Sequence, residues 1–201
     1  MVDSIRTKIR ALVTDISKSG FETFTYTTSN VFTVAQENIT ITEVLKDSVP
    51  LDPTEYSFDS VTNKITITPE SGNALISGDI IEVDYTYYKY SNSELNEYIR
   101  ASLVWISVFS AEPADYELDI ESANTVTIDP TPDNQSADLI SLVASILIKP
   151  DYSQYNLPNL KVVYPRTMTK EVRIEKLIGK FNIGIGINQV IQFDIFPNNI
   201  L

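Results

Sequence analysis

The spacing of the apolar residues changes three times along this 201-residue chain, and these changes limit how the chain can fold. Helical spacing is found in four segments: residues 4–18, 92–109, 132–149 and 168–181. Alternating spacing, which is typical of strands, fills residues 21–90 in short runs bounded by turn residues, and it returns in residues 182–201. The chain is therefore predicted to be an α+β protein.

The order of these helical and alternating segments predicts a helical body, an inserted antiparallel β module and a β-type tail. Their bounds are residues 1–20 and 91–181 for the helical body, 21–90 for the β module and 182–201 for the extended tail. In the tail, Gly184 and Gly186 alternate with isoleucines. Glycine at alternate positions leaves one strand face bare, which lets another backbone or sheet approach closely.

The helix at residues 92–109 is expected to pack on more than one side. Ser91 and Glu94 match a capping box, in which each side chain satisfies a backbone N–H group of the other residue. One apolar face is formed by Leu95, Ile99, Leu103 and Ile106. Trp105 and Val108 widen this face, so a second packing partner is predicted.

The segment at residues 132–149 has almost no polar face. Pro132 suits the first helical turn and Pro150 ends the helix. A helix that is apolar all round belongs to the centre of a core or of a subunit interface. The predicted assembly contacts are four residues of this helix and six of the tail: Leu139, Leu142, Val143, Ile146, Ile183, Ile185, Ile187, Val190, Phe193 and Ile195.

The chain contains no cysteine and no histidine, which narrows its chemistry. Nucleophilic sites that pair serine or cysteine with histidine cannot be built. Zinc sites and most transition-metal sites lose their usual ligands. We therefore expect no enzyme activity, no cofactor and no metal site.

The net charge of −12 argues against general nucleic-acid binding and against adsorption to anionic membranes. Residues 1–18 carry several charges and lack the apolar region of a secretory signal. The longest strongly apolar run, residues 103–109, is too short to cross a bilayer. We expect a protein made without an export signal and without a membrane partner.

A series of acidic residues at alternate positions suggests a calcium-binding or hydrolase site. Asp115, Glu117, Asp119 and Glu121 place four carboxylates on one strand face, as in a calcium site or a hydrolase carboxylate pair. Without the spacing of a calcium loop, the favoured interpretation is the solvated face of an edge strand.

Two further clusters have alternative interpretations. The aromatic residues Phe24, Tyr26, Phe32, Tyr85, Tyr87, Tyr88 and Tyr90 are consistent with a sugar-stacking platform or, more often, with cross-strand pairs inside a sheet. The basic residues Lys149, Lys161, Arg166, Lys170, Arg173, Lys176 and Lys180 are consistent with a phosphate contact. Solvated helix faces, or partners for acidic patches on neighbouring subunits, are the favoured interpretation.

Residues 91–106, Ser-Asn-Ser-Glu-Leu-Asn-Glu-Tyr-Ile-Arg-Ala-Ser-Leu-Val-Trp-Ile, resemble the first core helix of head–tail connector (adaptor) proteins of tailed bacteriophages. In that family a later buried helix, here residues 137–149, packs against the first. The β module resembles a building block common in virion proteins. That likeness is carried by Val49-Pro50-Leu51, Tyr56-Ser57-Phe58-Asp59, Thr62-Asn63-Lys64-Ile65-Thr66 and Gly78-Asp79-Ile80-Ile81-Glu82-Val83.

The resemblance implies a helical adaptor body that forms a homo-oligomeric ring in the virion neck after synthesis in the host cytoplasm. The ring would match the twelve-fold portal protein on one side and the tail, or a tail-completion (stopper) protein, on the other. Genome DNA would pass nearby without specific binding. Residues 182–201 would dock on a neighbour, where adding a strand to a partner's sheet would pair their backbone groups. The alternative is a carbohydrate-binding or adhesion module of a virion or cell-surface protein, built on residues 21–90.

Overall fold

The computed structural model describes residues 1–70, 74–110, 116–122, 125–158, 160–181 and 189–192. The helices are α1 (Val2–Val13), α2 (Asn92–Phe109), α3 (Asn134–Ile148) and α4 (Lys170–Phe181). The strands are β1 (Lys18–Thr25), β2 (Val31–Thr33), β3 (Ile39–Lys46), β4 (Val49–Pro50), β5 (Tyr56–Asp59), β6 (Lys64–Ile67), β7 (Ile80–Tyr87), β8 (Glu117–Ser122), β9 (Thr125–Asp129), β10 (Gln154–Leu157), β11 (Leu160–Val163) and β12 (Gln189–Gln192). The chain divides into two compact units. Met1–Asp15 and Asn92–Leu201 form the helix unit, and Ile16–Ser91 forms the β unit.

The fold is α+β, but the predicted helical adaptor body is wrong. The described residues hold four helices and twelve strands, and the strands form small, mainly antiparallel sheets in both units. Within the helix unit, β8 pairs with β9, and β10, β11 and β12 form a three-stranded sheet. Strands β8 to β11 lie inside the predicted helical body, where strands of four to six residues contain too few alternations to define a period. Strand β12 lies in the segment that was predicted to be a β-type tail.

The β unit has one core to which two antiparallel sheets contribute. Their strand orders are β1-β7-β3-β4 and β2-β6-β5. Alternation along β7 buries Ile81 and Val83 in this core, together with Ile65 and Ile67 of β6. The intervening Glu82 and Asp84 therefore lie on the opposite face of the four-stranded sheet.

Gly20 in β1 lies directly opposite Tyr85 in β7, and the tyrosine ring fills the space that the glycine leaves. A Cβ atom at position 20 would be 2.8 Å from Tyr85 Cε2. The Tyr85 hydroxyl donates a hydrogen bond to Glu22 Oε1 (3.1 Å). Burial, reinforced by the hydrogen bond to Glu22, raises the pKa of Tyr85 to about 12. Because Glu22 also accepts a bond from the Ala35 N–H (3.0 Å), it links β1 to the loop after β2.

Helix α3 is the centre of the helix unit and contacts α1, α2 and α4. Its buried residues are Ala137, Leu139, Ile140, Ser141, Leu142, Val143, Ala144, Ser145 and Ile146. The two buried serine hydroxyls are satisfied within the helix, since Ser141 donates to Ala137 O and Ser145 donates to Ser141 O, each at 2.7 Å. These bonds remove the cost of burying the hydroxyls, so the helix can be surrounded by apolar neighbours.

Helix α1 ends five residues before the predicted end at residue 18, and β1 begins at Lys18. Thr14 closes the helix in the left-handed conformation, with φ of 56°. The N–H groups of Thr14 and Asp15 bond back to the carbonyls of Ala11 and Arg10. Glycine is the usual residue for such a cap. A threonine in this role leaves no clear signal in the sequence, so the end of the helix was placed too late.

Replacing Asp133 with alanine is expected to lower the free energy of unfolding by about 1 kcal/mol. The Asp133 carboxylate caps α3 by accepting a hydrogen bond from the Ser136 N–H (2.7 Å), and this bond lowers the pKa of Asp133. A carboxyl group with a lowered pKa stabilises the fold above its unfolded-state pKa of about 3.9. That contribution is lost as the pH falls through the folded-state pKa.

Urea denaturation of the wild type and D133A at about pH 7 and about pH 2.5 checks this linkage. The difference in stability between the two proteins should shrink at the lower pH. An equal difference at both pH values would show that the carboxylate does not cap the helix.

Candidate assembly surfaces

The C-terminal half of α2 exposes apolar side chains on the side away from the core. The residues that face the core are Leu95, Ile99, Leu103 and Ile106. On the other side, Val104 is 59% exposed and Val108 is 66% exposed. Trp105 is half-buried and stacks on the exposed Phe109, with ring centroids 5.4 Å apart. We call Val104, Trp105, Val108 and Phe109 the α2 stripe.

The local sequence explains why this half of α2 has two apolar sides. Residues 101–109 include no charged side chain, and their polar members are Ser102 and Ser107. Both hydroxyls bond to carbonyls of the same helix, Ser102 to Ile99 O (2.7 Å) and Ser107 to Val104 O (2.8 Å). The prediction that α2 packs on more than one side stays a prediction, because Val108 is exposed in the described chain. Val104 was missed, although it lies one turn from Val108.

The β8–β9 hairpin carries three exposed carboxylates on one face. Glu117 lies directly opposite Asp129, and Asp119 follows on the same face of β8. Among the described residues, none of the three takes part in an ion pair. Like charges placed opposite each other weaken a strand pair by up to about 1 kcal/mol, so a nearby cation would stabilise this hairpin. The hairpin lies against α2, since β8 contacts that helix.

The predicted acidic series is only partly described. Asp115 lies outside the described residues, and for Glu121 the structure describes the backbone alone. Asp129 was missed by the sequence analysis, because the register of β8 and β9 is a tertiary property.

Most basic residues of the last third lie on the surface of α4 and the segment before it. The exposed ones are Lys161, Arg166, Lys170, Lys176 and Lys180. Lys176 and Lys180 are one helical turn apart on the exposed side of α4, and Val172, 38% exposed, lies one turn before Lys176. Lys149 is half-buried, with its ammonium group 5.6 Å from the centre of the Tyr152 ring.

Arg173 differs from the other basic residues because it is only 2% exposed. Its Nη1 donates to the carbonyls of Pro150 (2.5 Å) and Tyr152 (2.8 Å). Its Nη2 donates to the carbonyls of Pro165 (3.3 Å) and Arg166 (3.4 Å). One guanidinium group therefore holds the segment after α3 and the segment before α4 together, a role that its planar set of donors suits.

Two buried tyrosines complete this cluster. The Arg173 guanidinium lies 5.6 Å from the centre of the Tyr164 ring, and Tyr155 packs edge-on against Tyr164 with ring centroids 6.2 Å apart. The Tyr155 hydroxyl donates to Lys149 O (2.6 Å). Burial raises the pKa of both tyrosines, so each hydroxyl stays protonated throughout the neutral range.

A shallow cleft of about 570 Å³ opens beside this cluster. Its walls include Asp151, Arg166, Lys170 and Arg173. The Nη groups of the buried arginine already bond to backbone carbonyls. We therefore assign Arg173 a structural role at the base of the cleft rather than a ligand-binding role.

Four of the predicted assembly residues lie inside the helix unit. Leu139, Leu142, Val143 and Ile146 are all buried by their own chain. A covered side chain has no surface to offer a neighbouring molecule. Of the two roles predicted for this helix, core and subunit interface, the structure places these residues in the core.

The predicted tail contacts fall mostly outside the described residues, and this applies to Ile183, Ile185, Ile187, Phe193 and Ile195. Val190 belongs to β12, whose backbone pairs in parallel with β11 of the same chain, with Val190 opposite Lys161. The docking of residues 182–201 on a neighbour stays a prediction.

The aromatic cluster of the β unit contributes mainly to packing. Tyr85 is buried, and Phe24 contacts the buried Phe32 with ring centroids 5.3 Å apart. Strand β7 ends at Tyr87, so Tyr88 and Tyr90 lie beyond the strand. The rings therefore do not form one strip along β7, and the carbohydrate-binding alternative stays a prediction.

Among the described residues, no group of three or more acidic side chains is arranged to hold a metal ion. No helix in the same part of the chain is long and apolar enough to cross a membrane.

The chain matches no known protein-family model, and no curated protein is significantly similar to it.

Proposed function

We propose that this chain is a structural subunit of a bacteriophage neck that forms a ring between the portal protein and the tail. The observation that carries the proposal is the α2 stripe, in which Val104 and Val108 remain largely exposed on a helix whose opposite side is already buried. The likeness of residues 91–106 to the first core helix of head–tail connector proteins supports the same function. The role is structural rather than catalytic.

The energetics of the stripe suit a repeated contact. Covering the exposed parts of Val104 and Val108 would contribute about 1 kcal/mol each, which is weak for one isolated contact. In a closed ring every subunit makes the same contact with the next, so weak contacts add up around the circle. The twelve-fold portal and a tail-completion protein would then bind the two sides of the ring.

The charge of the chain fits a position along the path of the genome. A net charge of −12 repeated around a ring gives a negative field that repels phosphate groups. DNA would therefore pass the ring without being held. In this proposal the protein is made in the host cytoplasm and resides in the neck of the virion.

Replacing Val104 and Val108 with glutamate is expected to abolish ring formation while leaving the protomer folded. Both side chains are largely exposed, so charges there would cost little in one copy but would be buried in a contact. Val61→Glu, at a residue that is 90% exposed in the β unit, is the matched control and should assemble normally. Native mass spectrometry and electron microscopy of each protein, alone and mixed with portal protein from the same phage, give the readout.

Two results would count against this function. One is a wild-type protein that stays monomeric at every concentration and ignores portal particles. The other is a V104E/V108E variant that assembles as the wild type does.

A further inference from the structure

We infer that successive copies join head to tail, with the α2 stripe and the acidic hairpin face of one copy docked on the outer surface of α4 of the next. The acidic hairpin face is Glu117, Asp119 and Asp129. The outer surface of α4 is Val172, Lys176 and Lys180. The inference rests on the proposed ring, and it specifies which two surfaces meet.

The first surface combines an apolar part with a negative part. Strand β8 contacts α2, so the strand that carries Glu117 and Asp119 lies beside the helix that carries the stripe. The C-terminal turn of α2 contains no basic residue. The partial negative charge at that end of the helix is therefore not offset by a basic side chain of the same turn.

The second surface is basic at Lys176 and Lys180, with the exposed Glu175 beside them, and has a small apolar centre. Lys176 and Lys180 lie on the exposed side of α4 and form no ion pair with another described residue. Val172 precedes them by one turn. At Gly179, which lies between the two lysines in sequence, no atom of the described residues lies within 4 Å of the place a Cβ would take. A second helix can therefore approach α4 closely at this point.

The charge distribution along the chain favours a second copy as the partner. Residues 149–181 contain seven basic and three acidic side chains, a net charge of +4, whereas the whole chain carries −12. Most surfaces of two copies therefore repel each other, and a contact through the α4 side is attractive. A two-fold contact through the stripe would bring hairpin acids together, while a head-to-tail contact brings acids to lysines.

Charge reversal tests the pairing. We expect E117K/D119K and K176E/K180E each to weaken self-association at least tenfold, since each change converts several attractive pairs into repulsive ones. A single chain that carries all four substitutions should regain the wild-type dissociation constant to within about threefold. The control E37K/E43K changes the net charge by the same +4 as E117K/D119K, on exposed residues of the β unit, and should associate at least as well as the wild type.

Sedimentation velocity gives the dissociation constants, and thermal unfolding shows that each variant is folded. For the unmodified protein, raising the salt from about 0.1 M to about 1 M should also weaken association about tenfold or more. A wild type that assembles while both reversals and salt leave it unaffected would overturn the inference and leave the ring intact. Failure of the fourfold variant to recover would overturn the pairing of these two surfaces. A wild type that never self-associates would remove the proposed function as well.

Discussion

Replacing Arg173 with methionine is expected to lower the free energy of unfolding of the helix unit by about 3–5 kcal/mol. Arg173 is buried and donates to four backbone carbonyls, those of Pro150, Tyr152, Pro165 and Arg166. Methionine fills a similar volume but donates no hydrogen bond. The carbonyls would lose a charged donor in a place that water reaches poorly. The segment after α3 and the segment before α4 would then no longer be held together.

Urea denaturation followed by the fluorescence of Trp105, the only tryptophan, reports on the helix unit directly. At protein concentrations where no assembly forms, Lys176→Met is the matched control, because it removes a positive charge from the exposed side of the same helix and should change stability by less than about 0.5 kcal/mol. Arg173→Lys should fall between the two, since one ammonium group cannot reach four carbonyls. If R173M unfolds at the same urea concentration as K176M, the guanidinium does not hold these segments.

Replacing Leu142 with alanine is expected to lower the free energy of unfolding by about 2–5 kcal/mol. Leu142 is fully buried in α3, the helix that contacts each of the other three in this unit. Truncation would leave a cavity that a close-packed core cannot fill. The cost should therefore be present in the monomer, at protein concentrations where no assembly forms.

The conservative substitution Leu142→Met is the control, and it should cost less than about 1.5 kcal/mol because it conserves volume. Denaturation measured at low protein concentration separates core packing from assembly. An L142A protomer of wild-type stability that no longer self-associates would place Leu142 in a subunit contact instead of in the core.

The elements that could be predicted from the sequence were those in which the apolar spacing repeats over many residues. Helix α2 repeats Leu95, Ile99 and Ile106 over 18 residues, and such a length defines a period. The strands β10 and β11 have four residues each, and the short extended spacing of residues 151–166 did not identify a sheet. This is why the helical adaptor body was expected where small sheets occur. The end of α1 at Thr14 was missed for a similar reason, since its left-handed cap is not a glycine.

The candidate surfaces were also predictable only in part, because their spacing is visible in the sequence but their exposure and pairing depend on the fold. The spacing of Val104 and Val108 one turn apart is visible in the sequence, but their exposure depends on which sides of α2 the other elements cover. The opposition of Glu117 and Asp129 depends on strand register. The burial of Arg173 could not be predicted from the sequence either, because a basic residue in a charged helix is most often exposed.

The sequence by itself determined the four helices, the strand-rich character of residues 21–90 and the separation of charge between residues 149–181 and the rest. It also excluded chemistry that needs cysteine or histidine. Tertiary structure decided that the apolar α3 lies in the core and that the second side of α2 stays exposed. The physical reason is one of range. A period is a property of neighbouring residues, whereas burial depends on contacts between elements that are far apart in the chain.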